Sequence, residues 1–427
     1  MAQLKDLSPS YFALVMATGI VSVGCHLMGL GPVAVGLFAL NGVTYVVIWT
    51  LTLLRLRLFP QRVLEDLTSH QRGFGFLTVV AATGVLGTQV ILIAHEFAIA
   101  VGLLILSAVL WLALTYTVFT ALTIKREKPS LAEGISGTWL LAVVATQSIA
   151  VLTALLAAHW GQPLRLHANF VALSMWLWGG MLYIWIISLI FYRYTFFRFE
   201  PDDLAPPYWI NMGAMAISTL AGSLLVANST VGADAPFLHS LRPFLEGFTV
   251  FYWATGTWWI PIIAILAVWR YGYRRLPFEY DPLYWGAVFP LGMYAVATYR
   301  MAEALRLEFL EPLSRVFLGL ALVAWLATFV GLLRSPEGRP ARPCARARRH
   351  DHRRSNGRLQ SDTLRCTSTS DTGDRQQRHL HECGQHARRC GDFYQPWQRG
   401  EFRNVSDSGQ WSGDADQSWH SGKFWDI

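Results

Sequence analysis

Short clusters of small and hydroxyl-bearing residues recur along this chain. Three are close matches, Val-Met-Ala-Thr-Gly at 15–19, Val-Ala-Ala-Thr-Gly at 80–84 and Val-Val-Ala-Thr-Gln at 143–147, and looser copies lie at 215–219 and 295–298. The repeated threonines are 65, 63, 73 and 79 residues apart, about one helical hairpin each. Hydroxyl and backbone N–H groups can solvate an anion weakly enough for it to leave again. The same residue types also permit close helix packing, so each single cluster has two interpretations.

The elements that carry these clusters are apolar runs long enough to cross a bilayer, which takes about 20 residues of helix. Hydrophobic residues make up 53% of the chain and charged residues only 15%, against about 25% charged in soluble domains. Ten runs lie near 11–30, 33–54, 74–94, 97–122, 137–159, 170–191, 207–226, 244–269, 283–303 and 315–333. The sequence therefore predicts an all-α polytopic membrane protein, since a soluble fold would have to bury every face of these helices.

Each cluster lies in an odd-numbered run, so the chain reads as five repeated hairpins. We expect an inner ring of odd helices to form a pore, with its small and hydroxyl residues at similar depths. The predicted pore-lining residues are Thr18, Gly19, Thr83, Gly84, Thr146, Gln147, Ser218, Thr219 and Thr298. The first four odd runs carry almost no ionisable group away from their ends, whereas proton-coupled carriers usually contain buried Asp, Glu or His.

Basic residues divide the loops into two unequal sets. The loops that follow the second, fourth, sixth and eighth runs hold twelve Lys and Arg residues, and the opposite loops hold four. The positive-inside rule places the first set in the cytoplasm, and with it both termini of a multi-pass protein in the cell membrane.

Residues 335–427 differ in character from residues 1–334, which form the predicted ten-helix transport domain. The tail is rich in Arg, Ser, Gln, Asp, Gly and His and has few aliphatic residues, so it is expected to be cytoplasmic and disordered. Its arginine excess with almost no lysine also fits frame-shifted translation of a GC-rich gene. Its histidines and cysteines match no standard zinc spacing, so no metal site is predicted.

Two features of the later runs bear on an anion path. Pro261 and Pro290 fall inside the eighth and ninth runs, where each removes a helical hydrogen bond and a break would expose backbone donors.

Arg300 and Glu303 lie three residues apart in the ninth run, on one helix face. Arg300 is either a snorkelling arginine with a local partner or a residue that attracts anions to the outer mouth.

The first run, Phe-Ala-Leu-Val-Met-Ala-Thr-Gly-Ile-Val-Ser at 12–22, and the ninth, Tyr-Trp-Gly-Ala-Val-Phe-Pro-Leu at 284–291 with Ala-Thr-Tyr-Arg at 297–300, resemble the tellurite-resistance/dicarboxylate transporter family. That family includes bacterial tellurite-resistance proteins, fungal malate permeases and sulfite pumps, and plant slow-type anion channels. The resemblance covers about residues 7–333. It implies five hairpins, a trimer with one pore per subunit, and an aromatic gate, which here is Phe289 beside Pro290.

The resulting prediction is passive or proton-coupled transport of a small inorganic or organic anion across a lipid bilayer. Four-carbon dicarboxylate, tellurite, sulfite and halide are the candidates. No cofactor and no nucleic-acid partner is expected. Two alternatives stay open: a membrane-embedded enzyme, for which the spans lack a convergent carboxylate pair or histidine cluster, and a receptor or sensor with the tail as its output.

Overall fold

The computed structural model describes residues 2–198, 206–230, 236–273 and 280–334 of the 427-residue chain. The predictions made for residues 335–427, both disorder and a frame-shifted origin, lie outside the described residues. So do Arg274 and Arg275, two of the basic loop residues.

Ten long helices, and no strands, make up the described ranges, which confirms the all-α prediction. They are α1 (Phe12–Leu27), α2 (Gly31–Leu58), α3 (Thr78–Gln89), α4 (Phe97–Ile124), α5 (Leu141–Ala157), α6 (Leu164–Phe196), α7 (Ile210–Asn228), α8 (Arg242–Ala267), α9 (Trp285–Leu305) and α10 (Glu311–Arg334). A 3-10 turn precedes α3 and a π-helical segment, Val90–Ala94, follows it. Several helices are longer than their apolar runs because polar residues at their ends also adopt helical conformation.

Nine helical segments of the described residues are long and apolar enough to cross a membrane. The helix outside this set is α9, whose 21 residues include Arg300 and Glu303, which lower its hydropathy. It coincides with the ninth predicted run, so its crossing of the membrane stays a prediction. Residues with positive φ end the first, third and ninth predicted runs: Gly29 at 86°, His95 at 58° and Arg306 at 57°. A residue in the left-handed backbone conformation commonly ends a helix.

The odd-numbered helices form a closed ring. Helix α1 contacts α3, α3 contacts α5, α5 contacts α7, α7 contacts α9, and α9 returns to α1. Each even-numbered helix packs against the odd helix before it and also touches the next odd helix around the ring. The spanning windows that contain α1, α3, α5 and α7 are 72 to 100% buried, whereas those of the even helices are 17 to 39% buried. The even helices thus form an apolar outer layer around the inner ring.

Small residues let the inner helices approach one another. A Cβ atom added at Gly84 on α3 would lie 3.0 Å from Cβ of Ser148 on α5, and one added at Gly213 on α7 would lie 2.7 Å from Cγ of Pro290 on α9. Both distances are shorter than ordinary van der Waals contacts, so a larger residue at either position would force the neighbouring helix or side chain to move.

Candidate functional site

Four of the repeated threonines hydrogen-bond to aromatic side chains on the outer helices. The pairs are Thr18 with Trp325 at 3.0 Å, Thr83 with Tyr45 at 2.8 Å, Thr146 with Trp111 at 2.8 Å and Thr298 with Trp253 at 3.0 Å. In the remaining hairpin the indole N–H of Trp176 donates to the backbone carbonyl of Ser218 at 2.8 Å. Every bond joins an even helix to the next odd helix around the ring. We call these five contacts the aromatic clasps.

The other predicted pore-lining residues also face their neighbours. Gly19 packs where an added Cβ would clash with Val85. The Gln147 side-chain amide donates to the carbonyl of Trp176 at 3.0 Å, and the Thr219 hydroxyl donates to the carbonyl of Met215 in its own helix at 2.9 Å. Gly84 is different, because it lines a cavity inside the ring. The hydroxyls of Thr18, Thr83, Thr146 and Thr298 are therefore engaged by outer helices and that of Thr219 by its own helix, and a lining role for these threonines stays a prediction.

Two cavities lie inside the ring, and each is lined by residues from all five inner segments. The central cavity is narrow, with room for about one water molecule, and its lining includes Ile20, Gly84, Thr88, Ser148, Ile217 and Met293. The second, which we call the end cavity, is about twice as large and lies near the N-terminal ends of the odd helices. Its lining includes Ala13, Thr78, Leu141, Ile210, Gly286 and Phe289.

The predicted gate residue lines one of these cavities. Phe289 is only 2% exposed and lines the end cavity, whereas Met293, one helical turn further along α9, lines the central cavity. Residues four apart share a helix face, so the two side chains follow one another along the same side of the ring interior. The ring of Phe289 thus lies in the protein interior and not on the outer surface.

The two prolines do not break their helices. Pro290 lies inside the continuous helix α9 and Pro261 inside α8. The expected interruption of the eighth and ninth runs is therefore wrong, since both helices continue through their prolines. Gly213 of α7 supplies the space for the Pro290 ring.

No charged side chain lines either cavity. The predicted mouth residue Arg300 forms an ion pair with Glu303 at 2.7 Å, and its side chain is 23% exposed. This is the local partner that one interpretation of the sequence anticipated. Attraction of anions by Arg300 stays a prediction, and the paired carboxylate would weaken it.

Apart from Gly84, the residues lining the central cavity were missed at the sequence level. Thr88 and Ser148 lie close to the repeated clusters, five residues after Thr83 and two after Thr146. Their hydroxyls were visible in the sequence, but the rotation of each helix about its axis was not.

A closed ring of buried helices within an apolar outer layer, with cavities inside the ring, defines a multi-pass membrane protein of the channel and transporter class. Residues 6–333 match the model of the SLAC1 family, described as voltage-dependent anion channels. The chain belongs to this family, as the resemblance in the first and ninth runs predicted. It is a family of membrane channels and transporters and not of enzymes.

Individual proteins that are similar to this chain are also described as membrane proteins or transporters. An uncharacterized membrane protein of Mycobacterium tuberculosis is 38% identical over 152 residues, which cover 36% of this chain and 75% of that protein. Two uncharacterized transporters of Methanocaldococcus jannaschii are each 25% identical over 346 residues, which cover 77% of this chain and 92% or 94% of theirs.

Proposed function

We propose that this protein passes small anions through the ring formed by α1, α3, α5, α7 and α9, and that Phe289 gates the path. The observation that carries the proposal is the position of Phe289. Its buried ring lines the end cavity and lies one helical turn from the lining of the central cavity. Membership in an anion channel family supplies the class of permeant ion.

The physical logic of the gate is rotation of one side chain. A phenyl ring can obstruct a passage only a few ångströms wide. A change of rotamer moves this ring and leaves the backbone of α9 in place. A movement of the whole helix would displace that backbone. Glycine at position 213 keeps α7 close behind Pro290 and so fixes the backbone from which the ring projects.

The proposal also covers the identity of the permeant ion, the oligomeric state and the orientation in the membrane. The permeant ion is a four-carbon dicarboxylate, tellurite, sulfite or a halide, moving passively or with protons. The protein is a homotrimer with one path per subunit, in the cell membrane, with both termini in the cytoplasm. The repeat residues Thr18, Thr83, Thr146 and Thr298 support the path by fixing the inner helices through the aromatic clasps.

Anion flux into liposomes that contain the purified protein tests the function. We expect flux of at least one candidate anion, and a several-fold increase in Phe289→Ala. The matched control is Phe12→Ala, because Phe12 is also buried on an inner helix but packs edge-on against Tyr45 and Trp49 of α2. Equal flux in the wild type and Phe289→Ala would remove Phe289 from the gate, and no flux of any candidate would overturn the function itself.

A further inference from the structure

Each inner helix begins with a 3-10 turn. The turns are Pro9–Tyr11 before α1, Gly73–Leu77 before α3, Gly137–Leu140 before α5, Pro206–Trp209 before α7 and Pro282–Tyr284 before α9. Each turn contacts the next one around the ring of helices, and the last turn contacts the first. We call this closed set the turn ring. Single 3-10 turns are common at helix ends, whereas these five form one continuous ring.

The turn ring bounds the end cavity on the side opposite Phe289. Residues of the turns line one end of this cavity, namely Ser10, Thr138, Pro207 and Pro282. The first turn of every inner helix lines its middle, and Met16 and Phe289 line its other end. An ion on the proposed path therefore meets two obstructions in series, first the turn ring and then the side chain of Phe289, or the reverse.

Neighbouring turns pack closely against one another. A Cβ added at Gly75 would lie 2.5 Å from the hydroxyl oxygen of Ser10 in the preceding turn. One added at Gly137 would lie 2.9 Å from the carbonyl carbon of Pro207 in the following turn. The end cavity that these turns enclose is only about twice as large as the one-water central cavity. A hydrated anion can enter it only when the turns move apart.

The 3-10 turns are the parts of the inner helices that can change at least cost. Their hydrogen bonds have poorer geometry than those of an α-helix. Conversion of a turn to α-helix would shorten it by about 0.5 Å per residue and rotate its side chains by about 20° per residue. Both changes move the turn relative to its neighbours, while the helix that follows keeps its place in the inner ring.

We propose that the turn ring is a second gate of the path, in series with Phe289, and that it opens when neighbouring turns separate. The inference rests on the proposed function, because a gate requires a path. It assigns this gate to five backbone segments, whereas the gate at Phe289 is one side chain.

A disulfide between neighbouring turns tests the gate. Because an added Cβ at Gly75 lies 2.5 Å from Oγ of Ser10, the two Cβ atoms of Ser10→Cys/Gly75→Cys lie within about 4 Å of each other, the usual spacing in a disulfide. The five native cysteines are first replaced by alanine. We expect oxidation of the pair to lower anion flux several-fold and a reducing agent to restore it. The single variants Ser10→Cys and Gly75→Cys are the controls, and their flux should not respond to the oxidant.

The series arrangement makes a sharper form of this test possible. If the two gates act in series, oxidation of the pair should still lower flux when Phe289→Ala has removed the other gate. Unchanged flux after complete disulfide formation, verified by mass spectrometry, would overturn the second gate. A fall in flux on oxidation that disappears in Phe289→Ala would also overturn it, because the turns would then act only through Phe289.

Opening of the turn ring can also be measured without transport. Gly137→Ala places a Cβ against the backbone of Pro207, so these two turns have to separate. A cysteine introduced as Ala13→Cys, which lines the end cavity just inside the turns, should then react several-fold faster with a charged, water-soluble thiol reagent. Gly24→Ala is the matched control, because its added Cβ lies 2.8 Å from the side chain of Leu318 on α10, near the other end of α1.

The reaction rates separate the gate from the transport function. Equal rates with and without Gly137→Ala would overturn the gate. A faster reaction with Gly137→Ala, in a protein that passes none of the candidate anions, would support separation of the turns and overturn the transport function.

Discussion

The indole N–H of Trp325 donates to the hydroxyl of Thr18 at 3.0 Å, which joins residues 307 positions apart in the chain. Thr18 lies in the first helix of the inner ring and Trp325 in the last described helix. This aromatic clasp therefore links the last outer helix, α10, to the first helix of the inner ring, α1. The other clasps repeat the same relationship between an even helix and the next odd helix.

The clasp between Trp325 and Thr18 should contribute measurably to stability. We expect Trp325→Phe and Thr18→Val each to destabilise the protein, with a coupling free energy of about 1 kcal/mol between them, typical of one buried hydrogen bond. Unfolding of the two single variants and the double variant in mixed micelles gives this value as a double-mutant cycle. Additive effects would mean that the bond contributes nothing beyond packing.

The close contact of α7 with α9 behind the gate gives a second prediction. Gly213→Ala places a Cβ 2.7 Å from the Pro290 ring, and overpacking of this kind costs about 1 to 3 kcal/mol. Because Pro290 adjoins Phe289, anion flux should change as well. Gly42→Ala is the control, since nothing lies within 4 Å of a Cβ added there on α2. If Gly213→Ala kept wild-type stability and flux, α7 and α9 could move apart without an energetic cost, and the prediction would be wrong.

Hydropathy was sufficient to predict where the helices lie. A helix in lipid must be apolar along its length, so the runs mark the helices directly, and α9 was found although its hydropathy is lower. Their extents were less predictable. For example, α6 occupies Leu164–Phe196, whereas the apolar run covers 170–191.

The direction of individual side chains could not be read from the same pattern. The repeated threonines suggested a pore lining, but helix rotation is set by contacts between helices that are far apart in sequence. Those contacts turn Thr18, Thr83, Thr146 and Thr298 towards the outer helices. One signal was available: each even run carries an aromatic residue that could pair with a cluster, namely Tyr45, Trp111, Trp176, Trp253 and Trp325.

A buried ion pair after the second span gives a third prediction. Arg55 and Asp66 lie 2.6 Å apart with side chains only 5% and 9% exposed, and Arg55 also donates to the carbonyl of Lys5. Asp66→Asn should destabilise the protein by about 3 kcal/mol, because it leaves Arg55 buried without its counter-charge.

The neighbouring pair of Arg62 and Glu65 provides a comparison for that change. Its side chains are 53% and 62% exposed, so Glu65→Gln should cost less than about 1 kcal/mol. Both values can be measured by unfolding in mixed micelles. Equal losses of unfolding free energy in the two variants would contradict the idea that the burial of Arg55 makes its ion pair important.

The role of Arg300 can be tested through ionic strength. If this arginine concentrates anions at one end of the path, Arg300→Gln should lower flux about two- to threefold at low salt. The loss should shrink near 1 M salt, where the screening length is about 3 Å. Glu303→Gln should act in the opposite direction, since it removes the carboxylate that pairs with Arg300 at 2.7 Å. Arg315→Gln is the control, because Arg315 pairs with Glu311 on the outer helix α10 and is 70% exposed. A loss of flux in Arg300→Gln that is equal at low and high salt would instead assign Arg300 a packing role in α9.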